Sequence, residues 1–410
     1  MAGPWVKLIC VDLEAAVPDV APCTEGEQWV LVRLHGEPLG IVYPPREGCR
    51  AADLARTIRT RLEWPIARHL VADSVGGPPP ALDDLAEIPS RCPRRTIDPC
   101  TSVTVAVCTR NRAAKLPACL DALAALDYPR ALLDIVIVDN APLDDSTRAV
   151  VSGYPGMRYV CEPSQGLDRA RNRAALAARG DIVAYTDDDV SVDRGWLRAI
   201  VRAFEEEPHA ACVTGLVVPD ALDTPAQILF EKYGGFGRGF HRWVYRAEQT
   251  ASAVPQYGGA GRFGTGANMA FRRTFLLSEG LFDPALDVGT AANGGGDLDM
   301  FFRALKRGEA LVYEPSAIVR HRHRRTYAEL RTQIANNGVG FYAYLARTAR
   351  AYPEERGAVW RFGAWWLWWW SVRRLARGLL PGAAVPLDLV VAELKGSLVG
   401  PFRYRPQEAR

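Results

Sequence analysis

No apolar run in this sequence reaches the roughly 20 residues that a membrane-spanning helix needs. A CxxC pair is also missing, and the nine cysteines are odd in number. That points to a reducing compartment and away from a disulfide framework. Charge bias is small: 50 Lys and Arg against 47 Asp and Glu leave +3, too little for a dedicated nucleic-acid binder. Met1 to Val11 has one lysine and a broken apolar run, without the pattern of a secretory leader. The expectation is a cytoplasmic protein with no nucleic-acid partner. What is present is a folded-protein composition, 48% hydrophobic and 24% charged, over 410 residues, enough for two or three domains.

Residues 1–75 read as a small α/β unit, with strands over 28–34 and 39–43 around His35-Gly36-Glu37-Pro38 and a helix over 51–62 carrying Leu54, Ile58 and Leu62 on one face. His35 and His69 stand alone in the sequence and read as ordinary histidines. Residues 76–99, with Gly76-Gly77-Pro78-Pro79-Pro80 and later prolines, read as a linker. From Thr101 the pattern alternates strand and helix. Strands are expected over 102–108, 132–138, 157–161 and 181–186. Helices are expected through Leu116 to Leu126, over 166–178, and through Trp196 to Phe204 with Asp193 as N-cap. Such alternation gives a mostly parallel sheet covered on both faces.

The strand ends carry the chemistry. The first ends in Thr109-Arg110, the second in Asp139-Asn140, and the fourth in Asp187-Asp188-Asp189, all on the edge where open α/β sheets bind ligands. No G-x-G-x-x-G follows the first strand and no Walker sequence occurs, so neither the dinucleotide nor the P-loop reading has its residues. Two carboxylates about 4 Å apart repel by about 4 kcal/mol at an effective dielectric near 20. A magnesium or manganese ion would offset that; a solvated acidic turn is the other reading of the triplet.

The ordered motifs VAVCTRNR, IVIVDN, QGLDRARN and AYTDDDV, followed by GTGANMAF and GGGDLDMFFR, resemble the family 2 glycosyltransferases over roughly residues 101–330. The resemblance implies a GT-A fold: an α/β, nucleotide-binding mixed sheet flanked by helices. Here a small N-terminal α/β unit (1–75) and linker (76–99) would precede the catalytic domain (100–326), and a C-terminal helical region (327–410) would follow. It further implies inverting sugar transfer from a UDP-, GDP- or dTDP-linked donor to a glycan, lipid-linked or small-molecule acceptor, as in polysaccharide biosynthesis, with Mg2+ or Mn2+ at a DXD-type motif. By the same resemblance Thr109, Arg110, Asp139, Asp168, Arg171, Asp187 and Asp188 hold the nucleotide sugar. Asp189 and His321 hold the metal, and Gly266, Asn268 and Asp299 contact sugar or acceptor. Asp297 is the base, in a place where it equally reads as a favourable helix N-terminal acid.

The family's glutamate before that base is absent; Gly296 stands there. One carboxylate still suffices for general-base work. A sugar nucleotidyltransferase would need a glycine-rich phosphate loop that the sequence lacks, and a noncatalytic glycan- or membrane-associated scaffold is the remaining alternative. The glycine-rich, aromatic stretch 234–266 reads as a lid or acceptor surface. Arg322, Arg324 and Arg325 read either as partners of the leaving diphosphate or as a basic, lipid-facing edge. A helix over 327–350 is expected to break at Asn336-Asn337-Gly338. Beyond it, Trp365 to Trp370 with Arg373, Arg374 and Arg377 suit a peripheral helix at the inner face of the membrane, or an aromatic face packed on the catalytic domain.

Overall fold

The computed structural model describes residues 5–23, 25–73, 99–247, 261–378 and 385–406. The expected linker therefore lies almost wholly outside the described residues, as does the middle of the expected lid. The N-terminal unit comprises β1 (Trp5–Asp12), β2 (Gly26–Leu34), β3 (Glu37–Val42) and α1 (Ala51–Asp73). β2 pairs in parallel with β1 and antiparallel with β3. The helix runs a further eleven residues past the expected end at residue 62, with a kink rather than a stop. Pro65 has no N–H for the carbonyl four residues back, and Leu62 leaves helical geometry at φ −121°. Val30, Val32, Leu54, Ile58 and Ile66 make a core of their own.

The larger sheet follows: β4 (Val103–Thr109), α2 (Leu116–Ala124), β5 (Leu133–Asn140), α3 (Ser146–Ser152), β6 (Met157–Glu162), α4 (Leu167–Ala177), β7 (Ile182–Asp187), β8 (Val190–Val192), α5 (Trp196–Glu206), β9 (Ala210–Pro219), α6 (Pro225–Tyr233), β10 (Trp243–Tyr245), β11 (Asn268–Arg272), α7 (Arg273–Ser278), α8 (Gly296–Lys306) and β12 (Ala310–His321). The nine strands run β10-β12-β9-β11-β7-β4-β5-β6, with β8 added beside β12. The block β7-β4-β5-β6 is parallel, while β11 is antiparallel to both β7 and β9, so the sheet is mixed. Its strands read as unbroken apolar runs because both faces are covered. Val103, Val105 and Val107 enter one core with Trp196, and Ala106 faces the other with Ala170 and Phe301. The architecture is the mixed α/β fold expected, with the N-terminal unit and a helical C-terminal segment attached.

Asp193 corrects one expectation. The N-cap of α5 is Gly195; Asp193 accepts from the Gly195 N–H at 3.0 Å and pairs with Arg33 of β2 at 2.7 Å. It thus joins the N-terminal unit to the sheet domain, helped by a small apolar cluster of Leu31 with Leu216, Val218 and Ile318.

The C-terminal segment is α9 (Tyr327–Ala351), α10 (Arg356–Trp366), a π-helical turn (Leu367–Val372), α11 (Arg373–Gly378) and α12 (Leu387–Arg403). The break expected at Asn336-Asn337-Gly338 does not occur. The helix runs through because Gly338 is there for packing: a Cβ on it would sit 2.4 Å from the Glu393 carbonyl oxygen of α12. Among the described residues no helix is long and apolar enough to cross a membrane.

Candidate functional site

Parallel register brings the polar strand ends to one edge. Cys108 of β4 pairs with Asp187 of β7, and Thr109 with Asp139 of β5. The late histidine arrives from the other half of the sheet, because β12 pairs antiparallel with β8 and sets His321 opposite Val190, next to the acidic triplet. Ligand atoms of Asp187, Asp189 and His321 then lie within 4.8 Å of one another. Two carboxylates and an imidazole at that spacing can hold a divalent cation.

The electrostatics agree with that capacity. Burial, then repulsion by Asp189, pushes the Asp187 carboxyl well up, against the pull of Arg171. Burial also lowers His321 to about 4, so its ring is neutral at pH 7 and can present a lone pair. Its orientation is set from behind. Glu231 Oε1 lies 2.7 Å from His323 Nε2, and His323 Nδ1 lies 3.1 Å from His321 Nδ1. A carboxylate only accepts, so His323 carries a hydrogen on Nε2 and offers Nδ1 as acceptor to His321, which donates from Nδ1 and leaves Nε2 facing Asp189, 3.5 Å away.

The middle acid behaves differently. Asp188 is buried, accepts from Thr109 Oγ1 at 2.7 Å and pairs with Arg112 at 2.6 Å, so the site's own residues already occupy it. Arg112 also reaches Asp189 at 3.2 Å. Arg110, expected to hold the nucleotide, is exposed and donates to Gln165 at 3.0 Å, and it lines the same cavity of about 390 Å³. Arg324 lines it too, 3.8 Å from Asp189. Arg322 and Arg325 pair instead with Asp220 and Asp223. Asp139 is fully buried and is not among the residues that line this cavity; burial raises its pKa, opposed by hydrogen bonds from Tyr159, 3.0 Å from Oδ2, and from Thr147.

A second cavity of similar size adjoins the first, with Asp187 and Leu167 in both walls. Asp297 stands in it at the start of α8, half-buried, accepting from Gly266 N at 2.8 Å and from Leu298 N at 2.9 Å. Arg171 and Asp168, paired at 3.0 Å, form its floor. Burial pushes Asp168 upward against Arg171. Its Oδ2 fills the space beside Gly296, where any Cβ would lie 1.9 Å away. The N-terminus of α4 is capped by Asp287, which takes Asp168 N at 2.8 Å and Arg169 N at 3.3 Å. Phe341, Trp366 and Trp370 supply an aromatic wall.

Two expected contacts lie elsewhere. Asp299 is fully buried between Arg303, 3.0 Å away, and Arg347, 2.8 Å away. Asn268 is buried too: its amide accepts from Trp196 Nε1 and donates to the Leu216 and Ala317 carbonyls, tying β11 to its neighbours. Arg112, Glu231, His323 and Asp287 were not singled out as site residues by sequence reasoning. Only Arg112 and His323 lie inside stretches that the motifs flagged.

Fold and site together define a GT-A-like sheet with a metal-capable Asp/His trio at the ends of its strands. Residues 104–276 match the family model described as glycosyl transferase family 2, so the chain carries a domain of that family. The Pre-mycofactocin glycosyltransferase of Mycobacterium tuberculosis is 26% identical over 295 residues, 72% of this chain and 56% of that protein. The Glucosyl-dolichyl phosphate glucuronosyltransferase of Haloferax volcanii is 24% identical over 54% of this chain and 69% of that one. The Succinoglycan biosynthesis protein ExoM of Rhizobium meliloti is 29% identical, over 53% and 65%. The chain thus spans little more than half the length of the first of these relatives. Among solved structures, the mannosyltransferase PcManGT from Pyrobaculum calidifontis, in complex with GDP-Man and Mn2+, superposes with a TM-score of 0.50 at 18% identity, covering 74% of this chain and 88% of that one. This likeness is one of fold.

Proposed function

We propose that the protein is an inverting glycosyltransferase that moves a sugar from a nucleoside-diphosphate donor to an acceptor hydroxyl. The observation that carries this is the trio Asp187, Asp189 and His321 at the mouth of one cavity, with Asp297 in the adjoining one. In this reading the base lies against β5, with Asp139 as the acceptor of a ring N–H. Thr109 and Arg110 border it, and Arg112 and Arg324 neutralise the diphosphate. Asp187, Asp189 and His321 hold Mg2+ or Mn2+, which would stabilise charge developing on the leaving diphosphate. Asp188, held by Thr109 and Arg112, keeps the triplet in shape.

Asp297 takes the proton of the acceptor hydroxyl. The freed oxygen lone pair bonds to the anomeric carbon as that carbon's bond to the diphosphate oxygen breaks, and the bonding pair leaves with the diphosphate. The backbone N–H groups of Gly266 and Leu298 hold the Asp297 carboxylate in place for this. Loss of the family's preceding glutamate is compatible with a working site, because Asp168 already brings a carboxylate into the space beside Gly296. Trp366, Trp370 and Phe341 offer flat apolar faces of the kind on which the C–H face of an acceptor sugar packs.

Calorimetric titration with UDP, GDP and dTDP, with and without Mn2+, tests the donor site. Metal-dependent binding of one nucleotide is expected in the wild type and loss of it in Asp189→Ala. A folded protein that binds none of the three would overturn the reading in favour of a noncatalytic scaffold.

A further inference from the structure

The N-terminal unit holds a second cluster of metal-ligating side chains, remote in sequence from the first. His35 lies in the turn between β2 and β3, while His69 and Asp73 stand one turn apart on α1. All three are buried, with 4%, 4% and 8% of their surface exposed. His35 Nδ1, His69 Nε2 and Asp73 Oδ2 form a closed triangle with edges of 2.9, 2.8 and 3.0 Å, and the three groups can ligate one ion.

Hydrogen atoms alone do not satisfy such a triangle. An imidazole nitrogen has one in-plane direction, used either by an N–H or by a lone pair. If both nitrogens carry hydrogens aimed at Asp73, the two N–H groups face each other across 2.9 Å. If one is bare, its lone pair faces the carboxylate oxygen. One edge is therefore repulsive whenever Asp73 is ionised. A cation at the centre makes all three contacts favourable. Tetrahedral zinc with bonds of about 2.0–2.1 Å spaces its donors about 3.3 Å apart, so an outward movement of a few tenths of an ångström completes the geometry.

One further observation points the same way. His69 Nδ1 lies 2.8 Å from Glu37 Oε2. That carboxylate fixes the hydrogen on Nδ1 and leaves Nε2 as a lone pair aimed at the triangle, the outer-carboxylate arrangement that orients ligand histidines. His35 at φ 50° and Gly36 at φ 78° are the two left-handed residues that a two-residue hairpin turn requires.

We propose that His35, His69 and Asp73 bind a zinc ion, with a water molecule from the adjoining cavity of about 350 Å³, lined by His35, Gly36, Glu37 and Arg202, as the fourth ligand. Two imidazoles and one carboxylate suit zinc, whereas the oxygen-richer trio beside β7 suits magnesium or manganese. The ion clamps the β2–β3 turn to the end of α1. Glu37, which orients His69, also lies 3.7 Å from Arg202 of α5, so the same clamp holds the N-terminal unit against the sheet domain. This proposal does not depend on the transferase reading.

The test is zinc content by mass spectrometry of the full-length protein after dialysis against excess magnesium. About one zinc per chain is expected in the wild type and in Asp189→Ala, and none in His35→Gln or His69→Gln, with folding of each variant checked by circular dichroism. A chelator should lower the melting temperature of the wild type and leave the His69→Gln value unchanged. Should the variants fail to fold, cobalt titrated into metal-stripped wild type decides: the intense visible absorption of tetrahedral cobalt supports the site, and its absence overturns it. Zinc that persists in His69→Gln but vanishes in Asp189→Ala also overturns the proposal, by assigning the ion to the acidic triplet.

Discussion

At the scale of single residues, the site divides into groups that sequence order displays and groups that only three dimensions bring in. Asp187 to Asp189 are contiguous and follow an apolar strand, so their position at a sheet edge could be read directly. Asp299 could not be placed by proximity to Asp297. Two residues along a helix is about 200° of rotation, so its carboxylate turns away from the cavity to Arg303 and Arg347. Arg110 and Arg112 illustrate the same limit: only the folded turn decides which guanidinium reaches the acids, and it is Arg112. The Glu231–His323–His321 chain joins α6 to the end of β12, and only its His321–His323 spacing is local in sequence. It carries a prediction. His323→Leu removes the acceptor that fixes the His321 tautomer, and losses of outer partners typically cost on the order of 10–100-fold in metal affinity. The apparent Mn2+ affinity in nucleotide-binding titrations should fall by that order, while nucleotide binding without metal should not change. An unchanged Mn2+ dependence would show that His321 needs no such orientation.

At the scale of elements, strand positions were legible because each parallel strand is an apolar run ended by a polar residue. Helix ends and helix contacts were less so. The glycine at 338 was read as a breaker, since local propensity penalises it, yet it sits mid-helix where α9 and α12 cross. Gly396 makes the reciprocal contact: a Cβ there would lie 2.2 Å from the Ala335 carbonyl oxygen. The obstacle is backbone, which cannot swing aside, so Gly396→Ala should destabilise by about 1–3 kcal/mol, the usual cost of overpacking. Gly357→Ala in α10 meets only the end of Arg361 at 3.4 Å and should be neutral or stabilising by about 0.5–1 kcal/mol. Thermal melting of the two variants distinguishes close packing from propensity, because propensity alone moves both the same way.

At the scale of the whole molecule, the sequence offers a membrane-facing or a packed tryptophan segment, and in the fold one face of it packs inward while the other is exposed. Trp366 and Trp370 stack at 5.2 Å and turn inward, where Trp370 Nε1 donates to Glu393 and Arg374 lies 3.6 Å over its ring. Trp365, Trp368 and Trp369 turn outward, with 42%, 63% and 49% of their surface exposed. Arg374 also donates to the Tyr233 carbonyl at 2.7 Å, so it is committed to the fold, whereas Arg361 and Arg377 are exposed. A surface of indole rings beside free guanidinium groups suits an anionic bilayer interface. Wild-type protein should therefore sediment with phosphatidylserine-containing vesicles at low salt. Trp368→Ser combined with Trp369→Ser should reduce that binding, and added salt should weaken it as screening removes the arginine contribution. Nucleotide titrations should be unaffected, because neither residue reaches the cavity. Trp366→Ala should do the reverse, sparing vesicle binding and raising the acceptor KM. A wild-type protein that ignores anionic vesicles would leave the exposed rings to some other partner and remove the membrane from the account, while the inward pair would keep its place in the wall of the Asp297 cavity.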